Sequence, residues 1–248
     1  MEIIDFHTHP FLDETDSICI YKSTTKTFPD DLFTIGISRF CGSVITYKSS
    51  GIGNTRLSND IALALREKYG KKYIPGFMVH PGFPEESIEE LKRAEANGIK
   101  LIGELVPLAY KWQYDSEGFY EILNYTDKKD FVYSMHTTDI EVMRKIAKEH
   151  RTTQFVFAHP GEATRVNEHI DVMLECENVH LDISGTGLFR YGMLKHLVTK
   201  VGADRILFGS DYPICNPNMY IAGVEFEQLS DNEKELIFAS NAKRLLGI

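Results

Sequence analysis

The sequence has little cysteine, and its cysteines are not spaced as metal ligands. The chain of 248 residues contains four, at positions 19, 41, 176 and 215, and no Cys-x-x-Cys pair. This pattern indicates neither a disulfide framework nor a thiolate zinc site. We expect Cys19, Cys41, Cys176 and Cys215 to be buried or incidental thiols.

Long apolar runs and basic clusters are also missing. No segment approaches the ~18 consecutive apolar residues of a membrane helix, and the first residues lack the pattern of a secretion signal. We therefore expect a soluble, cytoplasmic protein without a membrane partner. The net charge is −9, from 36 acidic and 27 basic residues. That balance disfavours a nucleic-acid surface but allows a small anionic substrate, since a bound metal reverses the local field.

The chain has no low-complexity tract and no linker rich in proline, glycine or serine. We therefore predict one domain over residues 1–248. Hydrophobic residues make up 43% of the chain and charged residues 25%, which is typical of a soluble globular protein. The length is close to that of a (β/α)₈ barrel.

Short runs rich in β-branched or aromatic residues alternate with longer amphipathic stretches. This alternation is typical of βα repeats around a parallel sheet. The eight predicted strands are residues 3–6, 43–47, 74–79, 100–105, 131–135, 154–158, 179–183 and 205–209. The predicted helices include residues 57–69, 85–96, 140–150, 188–201 and 232–246. Helix ends are indicated by Gly70, Gly98, Gly202 and Gly247.

The same alternation would fit an open doubly wound sheet. Such folds usually have a glycine-rich phosphate turn after the first strand, where this sequence has His7-Thr8-His9-Pro10. We therefore predict an α/β fold of the (β/α)₈ TIM barrel type. The first connection, residues 11–27, is long and irregular, and we expect either a loop over the active face or a flexible insertion.

Histidines and carboxylates follow the predicted strands. Because parallel strands of a barrel end on one face, these side chains are expected to converge there. His7 and His9 are two residues apart, so both can turn toward one metal ion. The predicted set consists of His7, His9, Glu104, His136, His159 and Asp211.

This set has nitrogen and oxygen donors and no sulfur. It predicts one or two divalent metal ions, with Zn²⁺ as first choice and Mn²⁺, Fe²⁺, Co²⁺ or Ni²⁺ as alternatives. Such an ion can lower the pKa of a water molecule from 15.7 to about 7 and polarise a carbonyl group. A nearby carboxylate or histidine then moves the proton.

Several motifs resemble those of the amidohydrolase superfamily, in particular its second, amidohydrolase-related family. They are His7-Thr8-His9, Ser134-Met135-His136-Thr137, Ala158-His159-Pro160-Gly161 and Gly209-Ser210-Asp211-Tyr212-Pro213. The resemblance spans the whole chain, including an ending at residues 241–247 that is similar to the family's terminal helix.

The resemblance implies roles for these residues. His7 and His9 would bind the more buried metal together with Asp211, which would also accept the proton of an attacking water molecule. His136 and His159 would hold a second metal. Alternatively, His136 would complete the ligand shell of a single metal, and His159 would serve as acid and base.

Glu104 departs from a common pattern of the superfamily, in which a carboxylated lysine on strand four bridges two metals. Gly103-Glu104-Leu105 instead resembles the TatD-like deoxyribonuclease branch, where Gly-Glu ends the fourth strand. We therefore prefer Glu104 as a carboxylate that bridges two metal ions.

Four further residues are predicted to contact the substrate. His80 ends strand three, Tyr110 and Trp112 follow Glu104 in a rim loop, and Arg165 can bind a carboxylate or phosphate. The alternatives are a loop role for His80, capping of the barrel by the aromatic rings, and a surface ion pair for Arg165.

Asp182 follows strand seven, where it would support a metal ligand or bond the loop backbone. His150, His169 and His196 lie within helical patterns away from strand ends, and we expect them at the surface.

The sequence predicts a metal-dependent hydrolase that cleaves an amide, lactone or ester in a small organic molecule. Alternatives are non-oxidative decarboxylation of an aromatic or unsaturated acid, which members of the resembled family perform with one metal, and a TatD-like phosphodiesterase. The last alternative is a non-catalytic metal-binding protein with the same barrel fold. A homodimer is compatible with each. The substrate is not determined, because specificity in this fold lies in the rim loops.

Overall fold

The computed structural model describes residues 1–13, 17–18, 29–49 and 51–248. In this part of the chain eight parallel strands, β1 to β8, form one sheet in sequence order. They are Ile4–Asp5, Arg39–Ser43, Tyr73–Phe77, Leu101–Leu105, Val132–His136, Gln154–Ala158, Val179–Asp182 and Ile206–Leu207. The predicted irregular connection, residues 11–27, lies mostly outside the described residues, as does Cys19.

Backbone hydrogen bonds join the chain after β1 to the chain after β8. The Phe6 amide donates to the Phe208 carbonyl at 2.8 Å, and the His9 amide donates to the Tyr212 carbonyl at 2.8 Å. The sheet therefore closes on itself, which removes its free edges. The predicted (β/α)₈ barrel is confirmed.

Helices alternate with the strands along the described chain. Helices α1 to α11 are Asp30–Thr34, Gly51–Tyr69, Pro84–Ala96, Pro107–Tyr110, Glu117–Thr126, Ile140–Glu149, Arg165–Glu175, Met193–Val201, Pro217–Phe226, Asp231–Glu235 and Asn241–Leu246. A 3₁₀ turn at Gly70–Lys72 follows α2, and a π-helical turn at Leu236–Ser240 joins α10 to α11. None of the described helices is both long and apolar enough to span a membrane.

Helix α6 shows why these segments are helical. The Asp139 side chain caps its first turn by accepting from the amides of Glu141 and Val142, at 3.0 and 3.2 Å. Its buried residues recur at the spacing of one helical face: Met143, Ile146 and Ala147.

The barrel interior below the strand ends is filled by apolar side chains. Ala242 and Leu246 of α11 belong to this interior cluster, together with residues on the strands or directly after them: Ile4, Phe6, Cys41, Leu101, Val132, Val156 and Leu207. The packed interior leaves the carboxyl ends of the strands as the open face. Cys41, Cys176 and Cys215 are free thiols.

The predicted second strand, residues 43–47, is wrong. Strand β2 is Arg39–Ser43, and the β-branched residues after it continue as buried coil. Glycine disfavours strands, yet Gly42 lies within β2. The backbone of Thr8 packs directly against it. A Cβ at Gly42 would lie 1.8 Å from the Thr8 carbonyl oxygen. Close packing, rather than local propensity, determines this strand.

The expectation that His150 and His169 lie at the surface is also wrong. Both are buried, whereas His196 is exposed as expected. Burial lowers the pKa of both buried histidines, that of His169 to about 4. Helical periodicity alone did not show which side of each helix these rings occupy.

Candidate metal centre

A single carboxylate lies between two pairs of histidines at the carboxyl ends of the strands. Oε2 of Glu104 is 3.4 Å from His7 Nε2 and 3.2 Å from His9 Nε2. Its Oε1 is 2.9 Å from His136 Nδ1 and 3.2 Å from His159 Nε2. Glu104 thus presents one oxygen to each pair.

Asp211 joins the first pair. Its Oδ1 lies 3.6 Å from His7 Nε2 and 3.3 Å from His9 Nε2. The chain therefore brings all six predicted ligands together, although more than two hundred residues separate His7 from Asp211. Asp211 and His159 both have left-handed backbones, with φ of 63° and 69°. Such strain in residues other than glycine is concentrated at functional sites.

The outer nitrogens of His7 and His9 have fixed acceptors. His7 Nδ1 lies 2.9 Å from Asp182 Oδ2, and His9 Nδ1 lies 3.1 Å from the Ser43 carbonyl oxygen. Because these oxygens only accept, each Nδ1 carries hydrogen and the lone pair of the neutral ring is on Nε2. Asp182 therefore supports a predicted metal ligand.

Electrostatics within the cluster favour charged groups. Burial favours the neutral form of His9, but the Asp211 and Glu104 carboxylates outweigh it and raise its pKa to about 9. Burial would raise the pKa of Glu104, yet His7, His136 and His159 hold it well below its ordinary value. A cation at this position would replace protons on the imidazoles, so metal binding releases protons.

The donor set fits a divalent metal. The ligand atoms of His7, His9 and Glu104 lie within 4.8 Å of one another, and so do those of Glu104, His136 and His159. Imidazole nitrogens and carboxylate oxygens suit Zn²⁺, Mn²⁺ and related ions. The two groups share Glu104, so the arrangement has room for one ion or for two.

The cluster opens into a cavity of about 600 Å³, a size that suits a small organic molecule. Five of the six predicted ligands line it. The other walls are mainly apolar and aromatic, with one lysine, and are formed by Ser17, Ile18, Ile45, Thr46, Tyr47, Lys48, Val106 and Ile214.

A second cavity, of about 410 Å³, adjoins the cluster and shares His136, His159, Asp211 and Ile214 with the first. Arg165 and His169 line it. The Arg165 side chain is also 3.8 Å from Glu168, so both the substrate role and the surface ion pair remain compatible with its position. Its substrate role stays a prediction.

The other predicted substrate residues are not among the described residues that line either cavity. His80 is partly buried and accepts from the Gly82 amide at 3.1 Å. The ring of Tyr110 stacks on Tyr47 at 6.3 Å between centroids, and Trp112 packs against the hydrophobic core. Tyr110 therefore reaches the first cavity only through Tyr47. These substrate roles also stay predictions.

Sequence reasoning missed two residues at this site. Lys48 lines the first cavity; it directly follows the predicted second strand, but a single lysine at a strand end did not stand out beside the histidines and carboxylates. Ser184 follows β7 and contacts two of the histidines. Its position after a strand end was an available signal, but serine is too common to stand out.

The closed barrel carries, at the carboxyl ends of its strands, a cluster of histidines and carboxylates that could hold a divalent metal ion. The Amidohydro_2 family model, described as Amidohydrolase, matches residues 4–248. The chain belongs to this family, which confirms the predicted resemblance. A search of curated proteins found no match.

Solved structures with the same fold cover the whole chain. A TIM-barrel protein from Bordetella bronchiseptica is 18% identical, with a TM-score of 0.80 and coverage of 100% of this chain and 99% of that one. A 2,6-dihydroxybenzoate decarboxylase from Rhizobium is 17% identical, with a TM-score of 0.77 and the same coverage. A 5-carboxyvanillate decarboxylase from Novosphingobium aromaticivorans, complexed with manganese, is 15% identical, with a TM-score of 0.75 and coverage of 100% and 96%.

Proposed function

We propose that this protein is a divalent-metal enzyme that removes carbon dioxide from an aromatic or unsaturated carboxylic acid without redox chemistry. The observation that carries the proposal is the position of His159. Its Nε2 faces the cluster of predicted metal ligands, and its ring lines the first cavity. The full-length similarity to two decarboxylases of aromatic acids supports this reaction over the hydrolysis favoured by the sequence.

His7, His9, His136 and Asp211 would hold the metal, and Glu104 lies beside them between the two histidine pairs. When bound, the ion supplies Lewis acidity that polarises an oxygen of the substrate. The nitrogen and oxygen donors suit Mn²⁺, which the Novosphingobium enzyme binds, as well as the Zn²⁺ favoured by the sequence.

In the proposed step the bond between the carboxyl carbon and the adjacent unsaturated carbon breaks. The electron pair stays on the unsaturated carbon, which takes one proton from the His159 imidazolium, and carbon dioxide leaves. His159 then regains a proton from solvent. Ile45, Val106 and Ile214 exclude water around the substrate, and the Lys48 ammonium offers a partner for an anionic substituent.

The test is a panel of hydroxylated benzoic acids, esters and lactones incubated in D₂O with Mn²⁺-loaded protein. We expect equal amounts of carbon dioxide and product, with one deuterium on the carbon that lost the carboxylate. Asparagine at His159 should lower turnover by about 10²-fold or more. Turnover of esters or lactones, with no carbon dioxide from any acid, would contradict the proposal.

Hydrolysis is the second candidate, because the two oxygens of Glu104 face separate histidine pairs. A carboxylate between two metal ions is typical of two-metal hydrolases, and Asp211 would then take the proton of the attacking water. Elemental analysis of protein purified without chelator separates the candidates. Two metals per chain favour hydrolysis, one favours decarboxylation, and none favours the non-catalytic alternative. A phosphodiester in the same panel tests the TatD-like alternative.

A further inference from the structure

Asp182 and Ser184 lie behind the metal centre, at and just beyond the end of β7, and neither is exposed. The Ser184 hydroxyl oxygen is 3.0 Å from His7 Nδ1 and 3.1 Å from His159 Nδ1. It also makes a close hydrogen bond with Asp182 Oδ1. The other carboxylate oxygen, Oδ2, is 2.9 Å from His7 Nδ1. This pair therefore contacts one histidine from each side of Glu104.

The direction of these hydrogen bonds follows from the number of hydrogens available. A serine hydroxyl has one hydrogen, and an ionised carboxylate has none to donate. The Ser184 hydroxyl therefore donates to Asp182 Oδ1, and the Ser184 amide donates to the same oxygen at 2.9 Å. Toward His159 Nδ1 the hydroxyl oxygen can then only accept. His159 must carry a hydrogen on Nδ1.

The tautomer of His159 determines which atom faces the centre. With hydrogen on Nδ1, the neutral ring has its lone pair on Nε2, which is 3.2 Å from Glu104 Oε1 and 3.2 Å from His136 Nδ1. Asp182 Oδ2 orients His7 in the same way. One carboxylate thus orients His7 directly and His159 through a hydroxyl.

The packing around His159 supports this arrangement. A Cβ at Gly185 would lie 2.3 Å from His159 Nδ1, so the ring lies directly against the backbone there. Gly185 has a φ of 63°, which suits glycine. Among the described residues, the hydroxyl of Ser184 is the hydrogen-bond partner of this nitrogen.

We propose that Ser184 is a positioning residue that holds His159 in the Nδ1–H tautomer and, through Asp182, couples its orientation to that of His7. The inference rests on the proposed function only in placing both histidines at the reacting centre. It applies equally to decarboxylation and hydrolysis, because it concerns the nitrogen that meets metal or substrate rather than the bond that breaks.

The test is NMR of ¹⁵N-histidine-labelled protein loaded with Zn²⁺, without substrate. In the parent protein we expect a slowly exchanging Nδ1–H on His159, assigned from its loss in His159→Asn. Ser184→Ala should speed the exchange of this hydrogen about tenfold or more while the His7 signal is kept. Asp182→Asn should disturb both signals.

Two controls show whether the effect is specific to Ser184. Thr126→Val removes a buried hydroxyl on α5 that contacts Tyr133, outside the centre, and should leave both signals unchanged. The Nδ1–H of His9, which faces the Ser43 carbonyl, reports in every variant that the centre has folded. A protected His159 Nδ1–H in Ser184→Ala, or its absence from the parent, would overturn the inference. Neither outcome depends on which reaction the enzyme performs.

Discussion

Glu104 is the residue on which the layout of the metal centre depends. Each of its oxygens lies within 3.4 Å of two imidazole nitrogens, and the side chain is almost fully buried. An ionised carboxylate is costly to bury unless it is paired with positive charge or hydrogen-bonded. Protons on the imidazoles or metal ions can supply that charge, so the site is arranged for cations.

Replacing Glu104 with glutamine keeps the size of the side chain and removes its charge. If Glu104 bridges two ions, the second ion should be lost or weakened far more than the first. If one ion is present, turnover should fall while metal content stays the same. Titration of Mn²⁺ into the stripped variant and parent distinguishes the two cases. Equal stoichiometry of two in both proteins would exclude the bridging role.

Alanine at both His7 and His9 should remove the bound metal, because their two Nε2 atoms lie 3.6 and 3.3 Å from Asp211 Oδ1 and would bind one ion together with it. Chelation of the parent should abolish activity in the same way. The matched control is His196→Ala, an exposed histidine on α8. Elemental analysis of the purified proteins is the measurement, and full metal content in the double variant would show the ligand assignment to be wrong.

At the scale of elements, close packing between β1 and β2 builds the first ligand pair. Thr8 lies between His7 and His9, its amide donates to the Cys41 carbonyl at 2.9 Å, and its side chain donates to the same oxygen at 2.8 Å. The absence of a side chain at Gly42 permits this approach. The positions of His7 and His9 therefore depend on Gly42, a residue of a different strand.

Gly42→Ala should destabilise the protein strongly, because the new Cβ would meet the Thr8 carbonyl oxygen. We expect a loss of about 3 kcal/mol in the free energy of unfolding, together with reduced metal content. Gly36→Ala is the matched control: Gly36 also has a positive φ, but its Cβ would meet nothing within 4 Å. Urea unfolding measures both. Equal losses would mean that backbone strain alone, and not contact with Thr8, accounts for the effect.

At the scale of the whole molecule, buried neutral histidines make folding sensitive to acid. Burial, with the nearby Arg244 and Arg205, lowers the pKa of His180 to about 3. Its Nε2 lies 3.0 Å from Gln154 Oε1 inside the fold. In the unfolded chain the ordinary value of 6.5 applies. Between these two values the unfolded state binds more protons, so stability falls as the pH falls below about 6.5.

His180→Gln should remove this contribution. Between pH 7 and pH 5 the parent should lose about 2 kcal/mol more free energy of unfolding than the variant. This difference follows from about 1.36 kcal/mol per pH unit over the range in which His180 is protonated only in the unfolded chain. Urea unfolding of both proteins without metal, across this range, is the measurement. Above pH 7.5, where His180 is neutral in both states, the two should show the same pH dependence. Parallel curves throughout would contradict the assigned role of His180.

The sequence alone determined the number of strands, their order and the six side chains that meet at one end of the barrel. The physical reason is topological: parallel strands of a barrel all end on one face, so a polar residue after a strand belongs to that face whatever its distance along the chain. Periodicity locates seven of the strands closely. It fails at β2, where Gly42 and the contact with Thr8 outweigh the β-branched run that follows.

Only the tertiary structure decided which side chains support the ligands and which nitrogen of each ring faces the centre. Ser184 and His7 are 177 positions apart, and their contact depends on how β7 and β1 pack across the barrel. The burial of His169 and the place of Lys48 on the cavity wall likewise depend on the angle of a helix and the register of a strand. Hydrogen bonds are directional and short, so shifts too small to register in a sequence pattern decide whether they form.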